Sequence, residues 1–169
     1  SVTFNLVSEG GGGLSQIGSD NLLMAYAHLG HDSLIGNHCI IANGVQIAGH
    51  VKIEDYATVG GQVGIVQFVR VGTHSYVTGQ SGLDKDVPPF SIVIGSRPLQ
   101  VKGTNIVGLK RRGYATETIQ KINESLNLWM RPDVQKEQCL LEIESQYGEL
   151  NEIKLFTAFL RASKMGCAR

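Results

Sequence analysis

"IGSDNLLMAYAHLGHDSLIGNHCIIANGVQIAGHV" (17–51) decides the fold. Ile17, Leu23, Leu29, Ile35, Ile41 and Ile47 fall six residues apart, and the series continues through Ile53, Val59, Ile65, Val71, Val77 and Leu83. Twelve consecutive sixth positions are aliphatic. A helix brings apolar residues round every 3.6 positions, so this period excludes one. The residue after each aliphatic is often Gly or Ala (Gly18, Gly30, Gly36, Ala42, Ala48, Gly60, Gly72), and the fourth after it is usually small (Ala27, Ser33, Cys39, Ala57, Ser75, Ser81). The pattern predicts a parallel β-helix of hexapeptide repeats. Each hexad supplies one short strand and one corner, and three hexads, 18 residues, close a triangular coil. Coils then stack at the spacing of paired strands, about 4.7–4.9 Å.

Working outward, Phe4 is a candidate earlier ladder position, with Ser8–Gln16 as an inserted loop around "EGGGG". On that reading the repeat begins upstream, as though the chain starts partway along a longer β-helix. After Leu83, Pro88 and Pro89 are expected to end the repeats. "GTNIVGLKRRG" (103–113) reads as a short helix with Asn105 as N-cap and Gly113 as the stop. Ile119, Ile122, Leu126 and Trp129 have helical spacing, and two more amphipathic segments follow near Leu140–Tyr147 and Ile153–Leu160. The expected organisation is a β-helix over 1–98, with hexads from 17 to about 87, and a small α-helical domain over 99–169 that caps the coil end.

Composition narrows the function classes. The chain has 169 residues and 42% hydrophobic content, and 15 basic residues balance 15 acidic ones. There is no global basic field for nucleic acid, no apolar run of the roughly 20 residues a membrane span needs, and no visible secretory signal. Cys39, Cys139 and Cys167 match no zinc spacing and argue for a reducing compartment, so a cytoplasmic location is expected.

Chemistry concentrates in "AHLGHDSLIG" (27–36). One coil after His31 is Gly49, beside His50, and one coil further is Gln67. His31, His50 and Gln67 should therefore lie nearly in one surface column. A lone corner histidine is more often a solvated turn residue, and His38 and His74, without polar company in their columns, are assigned to that class. His28, His31 and His50 together favour a ligand wall. A zinc site is the third reading, but a flat strand and corner converge these three poorly on one ion, so no metal is expected.

The stretches "GSDNLLMAYAHLGHDSLIGNHCIIANGVQIAGHV", "KDVPPF" and "GTNIVGLKRRG" closely resemble the acyl carrier protein-dependent UDP-N-acetylglucosamine O-acyltransferases of lipid A biosynthesis. The resemblance runs through essentially the whole chain and matches roughly the C-terminal two thirds of that family's usual length. It implies left-handed coiling, which periodicity does not show. It implies transfer of a (3-hydroxy)acyl chain from acyl carrier protein to the sugar 3-hydroxyl, the first step of lipid A biosynthesis, by a homotrimer. No cofactor is implied, because the phosphopantetheine arrives on the carrier. His31 matches the general base and Asp32 the carboxylate that orients it. Gly61 matches the oxyanion region. His28, His50 and Gln67 match sugar-nucleotide contacts, and Asn105, Arg111 and Arg112 the diphosphate and nucleotide contacts. For Lys110–Arg112 the alternative is a basic last turn that complements the helix dipole. Met24, Gly79 and Arg97 match the acyl groove. Three departures stand out: Val66 where the family has histidine, Val107 where it has glutamate, and "FNLVS" (4–8) in place of "IHRGT". They leave open a paralogue with another sugar or acyl donor, or a binding scaffold with weak turnover.

Overall fold

The structure, a computed structural model, describes residues 1–5, 7, 8 and 13–169. Residues 9–12 of the expected N-terminal loop lie outside the described residues. The first strands are β1 (Thr3–Phe4), β2 (Gln16–Ile17), β3 (Leu22–Leu23), β4 (His28–Leu29), β5 (Leu34–Ile35), β6 (Ile40–Ile41) and β7 (Gln46–Ile47). They continue through β8 (Lys52–Ile53), β9 (Thr58–Val59), β10 (Gly64–Ile65), β11 (Arg70–Val71), β12 (Tyr76–Val77) and β13 (Gly82–Leu83). Every third strand pairs in parallel, which gives three sheets: β1-β4-β7-β10-β13, β2-β5-β8-β11 and β3-β6-β9-β12, the last extended at its C-terminal end. This is the left-handed parallel β-helix.

The second residue of each strand points inward. Leu29, Ile47, Ile65 and Leu83 line one ladder, Ile35, Ile53 and Val71 the next, and Ile41, Val59 and Val77 the third, all at most 3% exposed. Each layer packs on the layers above and below. Truncating a central member such as Ile53 to alanine would leave a void costing about 2–5 kcal/mol.

The corners have their own period. Every sixth residue from Asp20 to Gln80, with Gly44 among them, has φ between +54° and +69°. For a residue with a side chain this conformation costs roughly 1–2 kcal/mol. The ladder offsets that cost, because from His38 onward each of these corner N–H groups is hydrogen-bonded to the coil before it: His50 N donates to His31 O, Tyr56 N to Asn37 O and Gln80 N to Gly61 O.

Phe4 does belong to a ladder. Thr3 pairs with His28 and Phe4 with Leu29, 25 residues apart rather than 18. At the other end the prolines do not stop the coil. Val87 bridges to Val71, and β14 (Ser91–Ile94) continues the third sheet with Val93 opposite Val77. These partners are 16 residues apart, whereas Leu83 still lies 18 from its partner Ile65, so the last coil loses two residues between Leu83 and Val87, ahead of the prolines. Phe90 takes the left-handed corner with φ of 63°.

The far edge of the third sheet is closed by a strand rather than by a helix. β15 (Gln100–Thr104) pairs antiparallel with β14, and α2 (Thr116–Trp129) packs on it. Before it comes α1 (Ile106–Arg111), where Asn105 Oδ1 accepts from Gly108 N and Gly113 turns at φ of 81°. α3 (Lys136–Tyr147) and α4 (Asn151–Arg161) complete the tail. The chain end is tied back to the coil. Asp86 N donates to Gly166 O, Ala168 N donates to Asp86 O, and Arg70 lies over the Phe159 ring at 4.0 Å.

Candidate active site

His31 and Asp32 occupy the corner after β4, with Asp32 in the left-handed conformation at φ of 56°. Adjacent residues on a flat strand face apart. The tight corner turns these two side chains together, and His31 Nδ1 lies 2.9 Å from Asp32 Oδ2. Asp32 is buried. Its Oδ2 also accepts the Ser8 hydroxyl at 2.6 Å and the Ser8 N–H at 3.2 Å, and His50 Nε2 stands 4.0 Å away. The Ser8 hydroxyl, then the His31 contact, hold the Asp32 carboxyl down at about 2. Hydrogen bonds to a carboxylate favour its charged form, so Asp32 is an anion at any working pH.

The His31 ring is set by what is missing beneath it. A Cβ on Gly49 would stand 2.5 Å from both Cε1 and Nε2 of His31. The imidazole therefore lies on the bare backbone of the next coil. Its Nδ1 is turned to Asp32, and Nε2 has no hydrogen-bond partner among the described residues.

His31 borders a groove of about 770 Å³ along the first sheet, together with His28, Gln67 and Arg97. Its floor is kept low by Gly64 and Gly82, and Val66 stands in its wall, 41% exposed. Thr3 Oγ1 holds His28 Nδ1 at 2.8 Å.

The expected single column separates into two neighbouring ones. His50 lies one coil after Asp32 and stacks flat on Phe68 at 4.8 Å, while its edge meets the His31 ring at 5.0 Å. Gln67 follows Gly49 in the adjacent column. His31 and His50 still meet, but His50 and Gln67 do not stack. His31, Asp32 and His50 are the described residues close enough to hold a metal ion together, with ligand atoms within 4.8 Å of one another. His28 is not part of that set.

The other expected site residues fall on the other two corners. Gly61 and Gly79 stack on the corner after the third sheet, where a Cβ on Gly79 would stand 3.1 Å from Gly61 O. Met24 begins that same corner, directly after β3. The Gly61 N–H donates no hydrogen bond among the described residues. Asn105 and Arg112 face the corner after the second sheet. Asn105 Nδ2 donates to His74 O at 2.9 Å, and the Arg112 guanidinium lies 4.7 Å over the Tyr56 ring. Arg111 is exposed beside them. One chain thus brings together His28, His31, Asp32, His50, Gln67 and Arg97. It does not bring Met24, Gly61, Gly79, Asn105, Arg111 or Arg112 to them.

His38 and His74 are not solvated turn residues without company. His38 Nδ1 lies 3.8 Å from Asp20. His38, Tyr56, His74 and Phe90 form one stacked column, with ring centroids 4.8, 4.7 and 5.9 Å apart. The first two intervals match the rise of a coil. His74 is buried, with Tyr114 Oη 3.1 Å from its Nε2. Burial, then the Arg112 charge, push its imidazole down to about 4.

Two contributors escaped the sequence reading. In the sequence Ser8 stands out only as the last residue of "FNLVS", and nothing local marks it, since its partner Asp32 is 24 residues away. Gly49 was countable as the position one coil after His31, and its lack of a side chain is the signal.

A β-helix of hexads carrying a histidine–carboxylate pair beside an open groove defines a hexapeptide-repeat protein of the bacterial transferase class, and the family model for bacterial transferase hexapeptides matches residues 15–49. The model described as UDP-N-acetylglucosamine O-acyltransferase, domain 2, matches residues 86–168. The Acyl-[acyl-carrier-protein]--UDP-N-acetylglucosamine O-acyltransferase of Paracidovorax citrulli is 46% identical over 99% of this chain and 65% of its own length. The Anaeromyxobacter protein of the same name (strain Fw109-5) is 36% identical with the same coverage. The solved UDP-N-acetylglucosamine acyltransferase of Francisella novicida superposes with a TM-score of 0.93 at 33% identity, over 99% of this chain and 61% of that one. LpxA of Acinetobacter baumannii gives 0.93 at 35% identity, covering 99% and 65%. Over nearly its whole length the chain is similar to UDP-N-acetylglucosamine O-acyltransferases, and it spans about 65% of the length of the curated relatives it matches.

Proposed function

We propose that this chain transfers an acyl group from acyl carrier protein to the 3-hydroxyl of UDP-N-acetylglucosamine, the first step of lipid A biosynthesis. The observation that carries the reading is the His31–Asp32 pair, with Nδ1 on the carboxylate and Nε2 unengaged beside the groove. Nε2 takes the proton of the sugar hydroxyl as its oxygen attacks the thioester carbonyl. Asp32 stabilises the imidazolium so formed without itself taking the proton. The tetrahedral intermediate collapses, the C–S bond breaks, and the imidazolium returns the proton to the leaving thiolate. An unengaged backbone N–H such as that of Gly61 suits the oxyanion.

His31 and Gly61 sit on different corners of the prism, so a complete site needs more than one copy. We place the working enzyme as a homotrimer about an axis parallel to the coil stack, with the sites between subunits. There Met24, Gly61, Gly79 and the Asn105–Arg112 segment of a neighbour face the His31 groove. No cofactor or metal is required by this scheme. Among the described residues no helix is long and apolar enough to cross a membrane, and the three cysteines are free and buried. Both support a cytoplasmic enzyme.

Val66 in the groove wall favours a second reading, a form that binds but turns over poorly. Acyl-carrier-protein thioester mixed with UDP-N-acetylglucosamine separates the two. Release of free thiol matched by an acylated nucleotide sugar is expected, whereas nucleotide-sugar binding without thiol release would establish the scaffold.

A further inference from the structure

We propose that Ser8 is a positioning residue for the His31–Asp32 pair, gripping the same carboxylate oxygen that the imidazole holds. The inference rests on the acyltransferase reading above. Ser8 comes from the long first coil, between β1 and β2, and reaches Asp32 across 24 residues. It gives two donors to one oxygen, its hydroxyl at 2.6 Å and its N–H at 3.2 Å. Asp32 Oδ1 is buried and has no partner among the described residues. Every described hydrogen bond to this carboxylate therefore ends on Oδ2, where His31 Nδ1 also ends.

That convergence has two chemical effects. Oδ2 is held in place beside Nδ1, so Nδ1 keeps its proton and the lone pair stays on Nε2, toward the groove. The Ser8 donors also draw density from Oδ2, which weakens its pull on the imidazolium. The other titratable groups facing this corner are His50 on the next coil and His28 on the preceding strand, with Asp84 and Arg97 further along the same groove. None of these donates to Oδ2 within hydrogen-bond distance. The one removable neutral donor is the Ser8 hydroxyl.

The test compares Ser8→Ala and Ser8→Thr with the parent chain. Ring-nitrogen NMR of His31, assigned with His31→Ala, reads the imidazole directly and needs no turnover. In Ser8→Ala the midpoint of the His31 titration should move to higher pH, because the freed oxygen holds the imidazolium more strongly. The rising limb of the pH–rate profile should follow it. Turnover above that limb should fall about tenfold, the scale of one hydrogen bond to a charged group, while the Michaelis constants stay put. Ser8→Thr should restore both readouts. An unmoved or lowered His31 midpoint in a folded Ser8→Ala protein overturns the proposal. So does a turnover loss that threonine does not repair. If the parent shows no acyl transfer, the NMR arm still decides on Ser8, and the failure belongs to the function assigned above.

Discussion

Gly49 is a glycine because His31 lies where its side chain would be. Gly49→Ala puts a methyl 2.5 Å from two ring atoms, and the ring, at the free end of a side chain, yields before the ladder does. A misplacement of about 1 Å at a reacting group costs on the order of a hundredfold. Gly49→Ala should therefore lower turnover by about that factor, with the thermal midpoint nearly unchanged. A variant with parental turnover would show that the ring position is not critical. His31→Ala should go further, cutting turnover by about 10²–10⁴-fold while the coil stays folded, because a corner imidazole adds little to the aliphatic ladders. Asp32→Asn should cost less, since it disturbs orientation and charge but leaves the base. The parent rate should rise with pH as the free base forms, and chelators should leave it unchanged. Activity lost to a chelator and restored by zinc would instead assign His31, Asp32 and His50 to a metal.

At the scale of elements, the aromatic column on the second corner couples stability to acid. His74 is held neutral down to about pH 4 in the folded protein, against 6.5 for a free imidazole. The unfolded chain takes up this proton first as pH falls, so the contribution is present above about 6.5 and is lost progressively down to about 4. Its upper size is about 3 kcal/mol. His74→Phe keeps the stack and removes the titration. Urea denaturation at pH 7.5 and 4.5 should show a smaller acid loss in the variant than in the parent, and equal losses would place the acid sensitivity elsewhere. The same corner holds the tail arginines. Arg111, exposed beside Arg112 on its ring, should act in ground-state binding. Arg111→Ala should raise the Michaelis constant for the nucleotide sugar more than it lowers turnover. A fall in turnover alone would give it another role.

Element boundaries also show what a sequence can and cannot disclose. The twelve aliphatic positions fixed the strands and their 18-residue register, because an inward side chain must be apolar in every coil. Nothing comparable marked the last coil. Pro88 and Pro89 read as an end, yet the chain reached the same two ladders with two residues fewer, through Val87 and Val93. The left-handed corners were invisible because they carry Asp, Tyr, His, Gln and Phe alike. There the ladder hydrogen bond sets the conformation, whatever the side chain. His31–Asp32 was legible as neighbours in sequence, whereas Ser8 was not, since a contact across an irregular coil has no fixed spacing.

For the whole molecule, the distribution of the site is the strongest constraint on assembly. The His31 corner, the Gly61 corner and the Arg112 corner point three ways from one triangular prism. In the proposed threefold arrangement unlike corners would meet at each interface. Sedimentation at micromolar concentration should give three times the chain mass. Mixed trimers made from His31→Ala and Gly61→Pro chains should regain part of the activity that either homotrimer lacks. A fully active monomer would end the shared-site scheme.

The long first coil has a consequence for how such a chain tolerates change in length. Phe4 and Leu29 remain in register across 25 residues, and Ile17 and Ile35 across the usual 18. The seven additional residues lie between β1 and β2, so they disturb no ladder on either side. The strands behave like text read in a fixed frame of six. One residue inserted inside a hexad turns every following aliphatic out of the interior until the frame is recovered, whereas an excursion at a corner of any length leaves the frame intact. Corners are thus where this architecture accepts new chain, and Ser8, at the start of such an added segment, lies against a working carboxylate, so a surface insertion can border the chemistry without disturbing the frame.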